Sequence, residues 1–328
     1  MTPENNGLDK SNPYIKNMKG RINLWIIRLI TLVLLFMAFG GFEVVAVEAS
    51  SQGTRAEIKT NSGRPLEIAV GAMISPEQSI NAYQELMDYI SKKLNRPVVM
   101  KQRKTYQETN DLLGAGRLDA AIICSGAYVI ARRQYGIELL AMPLINGTPT
   151  YRSYIIVQRD SPIQSIEGLK GKSFAFTDPL SNTGYLFPLY YLISKGFKAE
   201  SFFSKTLFTY SHDNSIEAVA EGVVDGAAVD HLIYDYMKAI KPRMISKTRV
   251  IHKSPPFGSP PVAVPRGIGP ELKSSLKKVF LNMDSDPLGK EILKRMGVEK
   301  FIAGDDSYYT EIRYMLKTVK ERGVNKGW

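Results

Sequence analysis

The chain has 328 residues, 44% of them hydrophobic, 23% charged and 10% aromatic, a composition that excludes disordered and collagen-like classes and leaves room for two domains of ordinary size. The single cysteine, Cys124, excludes an internal disulfide framework and a multi-Cys zinc site, and three histidines (His212, His231, His252) argue against a His-rich metal centre. Lys and Arg number 43 against 32 Asp and Glu, net +11, which suits nucleic acid, an acidic membrane surface or a small anion and does not choose among them.

The first element in chain order is a targeting segment, residues 1–49. Lys16, Lys19, Arg21 and Arg28 precede the apolar run Leu29 to Phe42, and Val47-Glu48-Ala49 offers small residues at both key positions of a cleavage site. Met18 would make a more typical start, and an uncleaved anchor from about Leu24 to Phe42 is the rival reading. No cysteine lies near the cleavage region, so a lipid-modified N-terminus is excluded. Either reading puts the bulk of the chain outside the cytoplasm, away from chromosomal nucleic acid. Removing residues 1–49 leaves the positive excess nearly intact, because they hold five basic and four acidic residues.

Residues 50–64 are polar and aperiodic, a flexible lead-in. From Pro65 strand and helix patterns alternate. Leu66 to Val70 reads as a buried strand, and Gln78 to Leu94 carries apolar residues at Ile80, Tyr83, Leu86, Met87, Ile90 and Leu94, one helix face. Asn95-Arg96-Pro97 stops that helix before the strand Val98-Val99-Met100. Such alternation predicts α/β layers with largely parallel strands. Gly116-Arg117-Leu118-Asp119-Ala120-Ala121 is echoed 106 residues later by Gly222-Val223-Val224-Asp225-Gly226-Ala227. Each copy follows a helical stretch (Tyr106 to Leu113, Ser215 to Ala220) and leads into an apolar strand, with glycine as helix cap and Asp fixing the turn. The match suggests two similar α/β lobes. The β-rich Tyr151 to Val157 can cross between them, and the proline-dense Ser254 to Pro261 can return. The expected division is residues 65–150 in lobe 1, 151–253 in lobe 2, and 254–328 returning to lobe 1 with C-terminal helices.

Three clusters could carry chemistry. Asp178-Pro179-Leu180-Ser181-Asn182-Thr183-Gly184 lies between the strand Phe174 to Phe176 and the helix Tyr185 to Ser194. Free N–H groups and hydroxyls there suit an anion, or serve an ordinary N-cap. Ser211-His212-Asp213 also precedes a helix. Adjacent residues diverge too far for a catalytic triad, and no Gly-x-Ser-x-Gly elbow accompanies them, so a hydrolase is a poor reading. His212 reads as a donor to an oxyanion or as a satisfied structural histidine. Tyr106 and Tyr151 can each offer a hydroxyl at a cleft mouth, or simply pack.

Tyr151-Arg152-Ser153 with Ile155-Ile156-Val157, then Asp160-Ser161, Leu169-Lys170-Gly171-Lys172, Asp178-Pro179-x-Ser181-x-Thr183-Gly184-Tyr185, Ser211-His212-Asp213 and Val224-Asp225 with Asp230 together resemble the phosphate/phosphite/phosphonate-type substrate-binding proteins of ABC transporters. The resemblance runs from about Leu66 to Tyr309. It implies a two-lobed, hinged periplasmic-binding-protein fold of type II (a Venus flytrap) with two α/β lobes, no cofactor, no metal and no catalysis. It also implies a monomer that shuts around a small anionic solute and docks on an ABC permease of the inner membrane. By position, Tyr106 and Tyr151 would face the ligand, Ser181, Asn182 and Thr183 would form the oxyanion turn, and His212 would donate. Asp230 would accept a hydrogen from a partly protonated ligand or cap a turn.

The chain departs from the family at two places. Gly258-Ser259-Pro260 stands where relatives often read Pro-x-Asp-Pro, which removes an acid able to meet an ammonium group. Cys124-Ser125-Gly126-Ala127-Tyr128 stands where Gly-Pro-x-Ser-Tyr is common, so Ala127 replaces a serine and Cys124 reads as a small buried residue. The expected function is extracytoplasmic capture of a phosphorus oxyanion for import. The alternative is a membrane-anchored anion sensor of the same fold.

Overall fold

The computed structural model describes residues 63–323, so the targeting segment and most of the lead-in lie outside the described residues. The chain first forms β1 (Leu66–Val70), α1 (Pro76–Leu94), β2 (Val98–Lys101), α2 (Tyr106–Gly114), β3 (Ala120–Ile122), α3 (Ser125–Tyr135), β4 (Glu138–Leu144), β5 (Thr150–Tyr151) and β6 (Ser153–Gln158). It continues with β7 (Ser173–Phe176), α4 (Phe187–Ser194), α5 (Ala199–Phe202), β8 (Lys205–Phe208), α6 (His212–Ala220), β9 (Gly226–Asp230), α7 (His231–Ile240), α8 (Pro242–Ile245) and β10 (Thr248–Lys253). The return comprises β11 (Phe257–Gly258), β12 (Val262–Val264), α9 (Pro270–Leu281), α10 (Pro287–Met296), β13 (Lys300–Ala303) and α11 (Thr310–Glu321).

The strands make two main sheets, ordered β13-β4-β12-β3-β1-β2 in lobe 1 and β10-β6-β9-β7-β8 in lobe 2. Each sheet has a parallel trio, β2-β1-β3 or β8-β7-β9, followed by an antiparallel strand that arrives from the other lobe. That strand is β12 against β3 in lobe 1 and β6 against β9 in lobe 2. The two crossings lie side by side, because β5 and β11 pair antiparallel with Tyr151 opposite Phe257 and Thr150 opposite Gly258. A short double ribbon is a natural hinge: it fixes where the lobes join and leaves them few shared backbone bonds.

The echo seen at Gly116 and Gly222 extends through both trios. Glu67 in β1 and Ser173 in β7 stand 106 residues apart, as do Asp119 and Asp225 just before β3 and β9. Asp119 Oδ2 accepts the Glu67 N–H at 2.8 Å, and Asp225 Oδ2 accepts the Ser173 N–H at 2.8 Å. In each lobe a carboxylate thus ties the turn entering the third strand to the start of the first. Gly116 and Gly222 have φ of 66° and 70°, the left-handed cap that lets each preceding helix stop and the chain reverse.

Helix α1 shows how local signals set bounds while packing chooses the face. Pro76 opens it, and Asn95, at φ 46°, closes it with Pro97 beyond. Leu86, Met87, Tyr89 and Ile90 are buried, whereas Ile80, expected on the same face, is 48% exposed. Gln78 and Ser79 are buried in its place, with the Ser79 hydroxyl donating to the Ile74 carbonyl. The first turn answers to the loop that precedes it, through the Ile74 carbonyl, and not to the core stripe below.

Candidate functional site

Three turns of lobe 2 meet three turns of lobe 1. After β7 the chain makes a five-residue π-turn, Asn182–Leu186, before α4 begins. Its wider winding is closed by the Leu186 N–H donating to the Ser181 carbonyl at 2.9 Å. Ser181 caps the turn: its Oγ accepts the Gly184 N–H at 3.0 Å, which leaves its own hydroxyl hydrogen to give. Gly184 is required here, since a Cβ would lie 2.4 Å from Thr177 Oγ1. Ser181, Asn182 and Thr183 are all fully buried.

His212 is the first residue of α6, which begins three residues earlier than the sequence pattern indicates because Ser211 caps it through the Asn214 N–H. Tyr210, held at φ 59°, turns the chain into that cap. Buried His212 has its Nδ1 within 3.0 Å of Thr177 Oγ1 and accepts the Asp230 N–H at 3.1 Å. An acceptor at Nδ1 puts the proton of the neutral ring on Nε2. Burial holds the imidazole neutral, lowering its pKa to about 3, and Nε2 has no partner. The ring is therefore a fixed, uncharged N–H donor.

Lobe 1 answers with Tyr106, the first residue of α2, which Thr105 caps through the Glu108 N–H. Its phenol is buried and unpartnered, and burial raises its pKa well above the ordinary tyrosine value, with Cys124 and Asp178 adding to the effect. Tyr151 sits in the hinge ribbon and links the lobes. Its hydroxyl lies 2.5 Å from Ser125 Oγ at the start of α3, and it receives the Asn182 Nδ2 amide at 3.2 Å. Cys124 Sγ is 3.9 Å from the same hydroxyl, and burial pushes the thiol pKa up, as befits a packing residue.

Among the described residues, the buried side-chain atoms without a hydrogen-bond partner are Tyr106 Oη, Asn110 Oδ1, Asn182 Oδ1, Thr183 Oγ1 and His212 Nε2. A buried polar atom left unpaired costs roughly 1–3 kcal/mol, so a folded chain keeps such a cluster only where something uses it. Four of the five belong to residues singled out from the sequence. Asn110 was missed, although it lies one helical turn after Tyr106 and so shares its face. Its Nδ2 donates to the Ala127 carbonyl at 3.0 Å.

Asp230 caps α7 by accepting the Leu232 N–H at 2.7 Å, and burial raises its pKa to about 7. Its cap role was one of the two expected; the carboxylate also borders space between the lobes. Ser259, in contrast, faces away: it is fully buried, and its hydroxyl donates to the Pro143 carbonyl at 3.2 Å.

Direct contacts hold the lobes together. The Tyr106 N–H donates to Asp178 Oδ2 at 3.1 Å, the His212 N–H to the Met73 carbonyl at 2.9 Å, and the Ser75 N–H to Asp213 Oδ1 at 2.9 Å. Gly126 permits this approach, because a Cβ there would lie 2.5 Å from the Leu180 carbonyl oxygen and 2.8 Å from the Asn182 nitrogen. Asp178, Ser125 and Gly126 are junction residues that sequence reasoning did not assign, since only the apposition of the lobes brings them into contact.

Two α/β lobes on a paired hinge, with capped helix starts facing one another across the junction, define a two-lobed solute-binding clamp. Residues 68–309 match the family described as ABC transporter, phosphonate, periplasmic substrate-binding protein, and the chain belongs to that family. It is 31% identical over 188 residues to the phosphonates-binding periplasmic protein of Escherichia coli (strain K12), a match that spans 56% of this chain and about half, 55%, of that protein. It is 27% identical to the phosphate-import protein PhnD of Mycolicibacterium smegmatis, over 81% of this chain and 84% of that one. A solved binding protein component of an ABC phosphonate transporter from Pseudomonas aeruginosa shares the fold, with a TM-score of 0.74 at 24% identity over 80% of this chain and 90% of its own. Among the described residues no helix is long and apolar enough to cross a membrane.

Proposed function

We propose that the protein captures a small phosphorus oxyanion between its lobes and delivers it to an ABC permease. The observation that carries this reading is the convergence of unpartnered buried groups from both lobes: Tyr106 Oη from one, Thr183 Oγ1 and His212 Nε2 from the other. The Ser181 hydroxyl and the N–H groups of the π-turn would complete the cradle. These donors are neutral, so selectivity rests on geometry, while the positive excess that remains without residues 1–49, 38 basic against 28 acidic residues, supplies a long-range field that draws anions. Hydrogen bonds to a charged group contribute roughly 1.5–3 kcal/mol each, so four or five offset the cost of ordering two lobes. The ligand touches both lobes only when they meet, and this differential contact biases the hinge toward closure. The names of the relatives, phosphonates-binding and phosphate-import, support the same class of solute. The receptor acts as an exported monomer, with residues 1–49 as its signal; mass analysis of the exported protein should find a start near Ser50.

The test is a calorimetric panel of phosphate, phosphite, methylphosphonate and sulfate, with His212→Ala and Tyr151→Ala as controls. At least one phosphorus anion should bind tighter than sulfate and weaken in both variants. Equal binding of all four anions, unaltered by either substitution, would sink the reading.

A further inference from the structure

The neutral oxyanion donors leave the positive surplus of the chain unused, and part of that surplus is gathered in one place. Helices α3 and α11 of lobe 1 pack side by side, and a groove of about 630 Å³ runs between them over the buried side chains of Val129 and Leu316. Arg132 and Arg133 line one bank; Arg313, Lys317 and Lys320, spaced four and three residues apart, line the other. Two carboxylates, Asp306 and Glu321, share the groove. Asp306 lies 3.3 Å from Arg132 Nη1 and 3.2 Å from Arg313 Nη1, and it accepts the Tyr128 hydroxyl at 2.8 Å. Glu321 Oε1 is 3.8 Å from Lys317 Nζ, with both side chains well exposed. Five cations thus face two carboxylates, a surplus of three. Among the described residues Arg133 and Lys320 have no ion-pair partner, and burial with the Arg133 charge nearby lowers the Lys320 pKa.

Cations in the last turn of a helix suit its dipole, and that would explain Arg132, Arg133 or Lys320 taken singly. It does not explain why like charges face one another across a groove, which is unfavourable unless anions lie against them. The cations are also spread: Arg313 to Lys320 spans about 10 Å of helix, too far for one small anion to reach both ends. A plane of anions reaches all of them. A contiguous hollow shares Arg132 and Asp306 and extends the same surface to Arg266. Tyr314, 55% exposed, stands beside Lys317 on α11 with its ring against Tyr190, and tyrosine is a residue favoured at a lipid–water boundary. We propose that this face of lobe 1 docks on an anionic membrane surface, its cations seated among phospholipid headgroups. The proposal goes beyond the oxyanion reading and uses only its extracytoplasmic setting. Arg132 comes seven residues after Ser125, which touches Tyr151 in the hinge, so the face lies about 10 Å along α3 from the junction. Membrane contact and solute capture therefore use different surfaces, and a receptor held this way searches for its permease in two dimensions.

The exported protein should be sedimented with vesicles of phosphatidylcholine alone and of phosphatidylcholine with about a third phosphatidylglycerol. Each unpaired cation near an anionic membrane strengthens binding about fivefold, so a surplus of three gives roughly a hundredfold preference for the anionic vesicles in about 0.05 M salt, lost in about 0.5 M. Arg133→Ala/Lys320→Ala, with unchanged circular dichroism, should weaken that binding about twenty-five-fold. Lys170→Ala/Lys172→Ala removes the same charge from exposed positions of lobe 2 and should leave it within about twofold of wild type. The lipid and salt dependence of the wild type stands by itself if a variant folds poorly. Sedimentation that does not depend on the anionic lipid, or equal losses in the two double variants, would overturn the docking face and leave the oxyanion reading intact. Release from the vesicles by glycerol phosphate, at an ionic strength where chloride has no effect, would assign the groove to a soluble anion and overturn the docking face as well. Failure of phosphorus anions to bind in calorimetry bears on the oxyanion reading alone.

Discussion

The two lobes are built on one plan and equipped for different work. Tyr106 and His212 stand 106 residues apart, each the first residue of a nine-residue helix capped by Thr105 or Ser211. The backbone N–H of each donates across the junction, to Asp178 in one case and to the Met73 carbonyl in the other. Cys124 and Asp230 are likewise 106 apart and open α3 and α7. Yet lobe 2 brings a neutral imidazole and a hydroxyl turn, whereas lobe 1 brings a phenol and an apolar turn. A duplicated scaffold fixes where side chains converge; which chemistry converges is decided residue by residue.

If lobe 2 holds the anion and lobe 1 mainly closes upon it, the substitutions should be unequal. His212→Ala should weaken methylphosphonate binding roughly a hundredfold and Tyr106→Phe only about tenfold, at the two ends of the range for hydrogen bonds to a charged group. Calorimetry on variants with unchanged circular dichroism measures both, and a larger effect for Tyr106 would reverse the assignment. Gly126→Ala attacks the junction instead of either lobe. Its Cβ meets the Leu180 carbonyl, so affinity should fall about tenfold for every anion while stability holds, since Ala favours the helix by about 1 kcal/mol; small-angle scattering should show that the variant fails to compact.

The titrating groups at positions 212 and 230 act in opposite directions. Burial raises Asp230 to about 7 and lowers His212 to about 3. For Asp230 the folded state binds the proton more tightly than the unfolded chain, whose value is about 3.9. Its stabilising contribution is full below that pH and is lost as pH rises toward 7. His212 has its folded value depressed below the unfolded value of about 6.5, so its effect costs stability as pH falls from there toward 3. Asp230→Asn should therefore gain on the wild type by up to about 1.4 kcal/mol per pH unit between about pH 4 and 7 in urea melts. A difference that stays constant across that window would show that Asp230 does not titrate there.

The smallest effects test the shared plan itself. Asp119→Asn and Asp225→Asn each replace a carboxylate that receives a backbone N–H at 2.8 Å, and each should cost about 1 kcal/mol of stability with no change in binding. Thermal melts that differ by more than twofold between the pair would show that the likeness of the lobes is geometric and not energetic.

Much of this was legible in one dimension. The alternation of patterns gave the layer type, and the short echo at Gly116 and Gly222 marked the repeat, because left-handed glycines and turn-fixing carboxylates are demanded by local geometry. The motifs around Ser181, His212 and Tyr151 marked a candidate anion site, and of that expectation the structure shows the caps by Ser181 and Ser211, because capped helix starts are local structures too. Ile80 shows the limit of such reading: its spacing placed it in the core, but the first turn of α1 follows the loop before it. Helix α4 started later than its pattern, since the π-turn spends an extra residue in bringing Asn182 and Thr183 round.

By itself, then, the sequence determined the class of fold, the family and the residue types at each helix start, all of which depend on neighbours within a few positions. Only the tertiary structure decided which nitrogen of His212 carries the proton, that Ser259 turns away while Asp230 borders the space between the lobes, and that Gly126 must lack a side chain. Those are properties of contacts between segments 18 to 138 residues apart, from His212 with Asp230 to Ser75 with Asp213. No local pattern encodes them, because the distance that matters is across the junction and not along the chain.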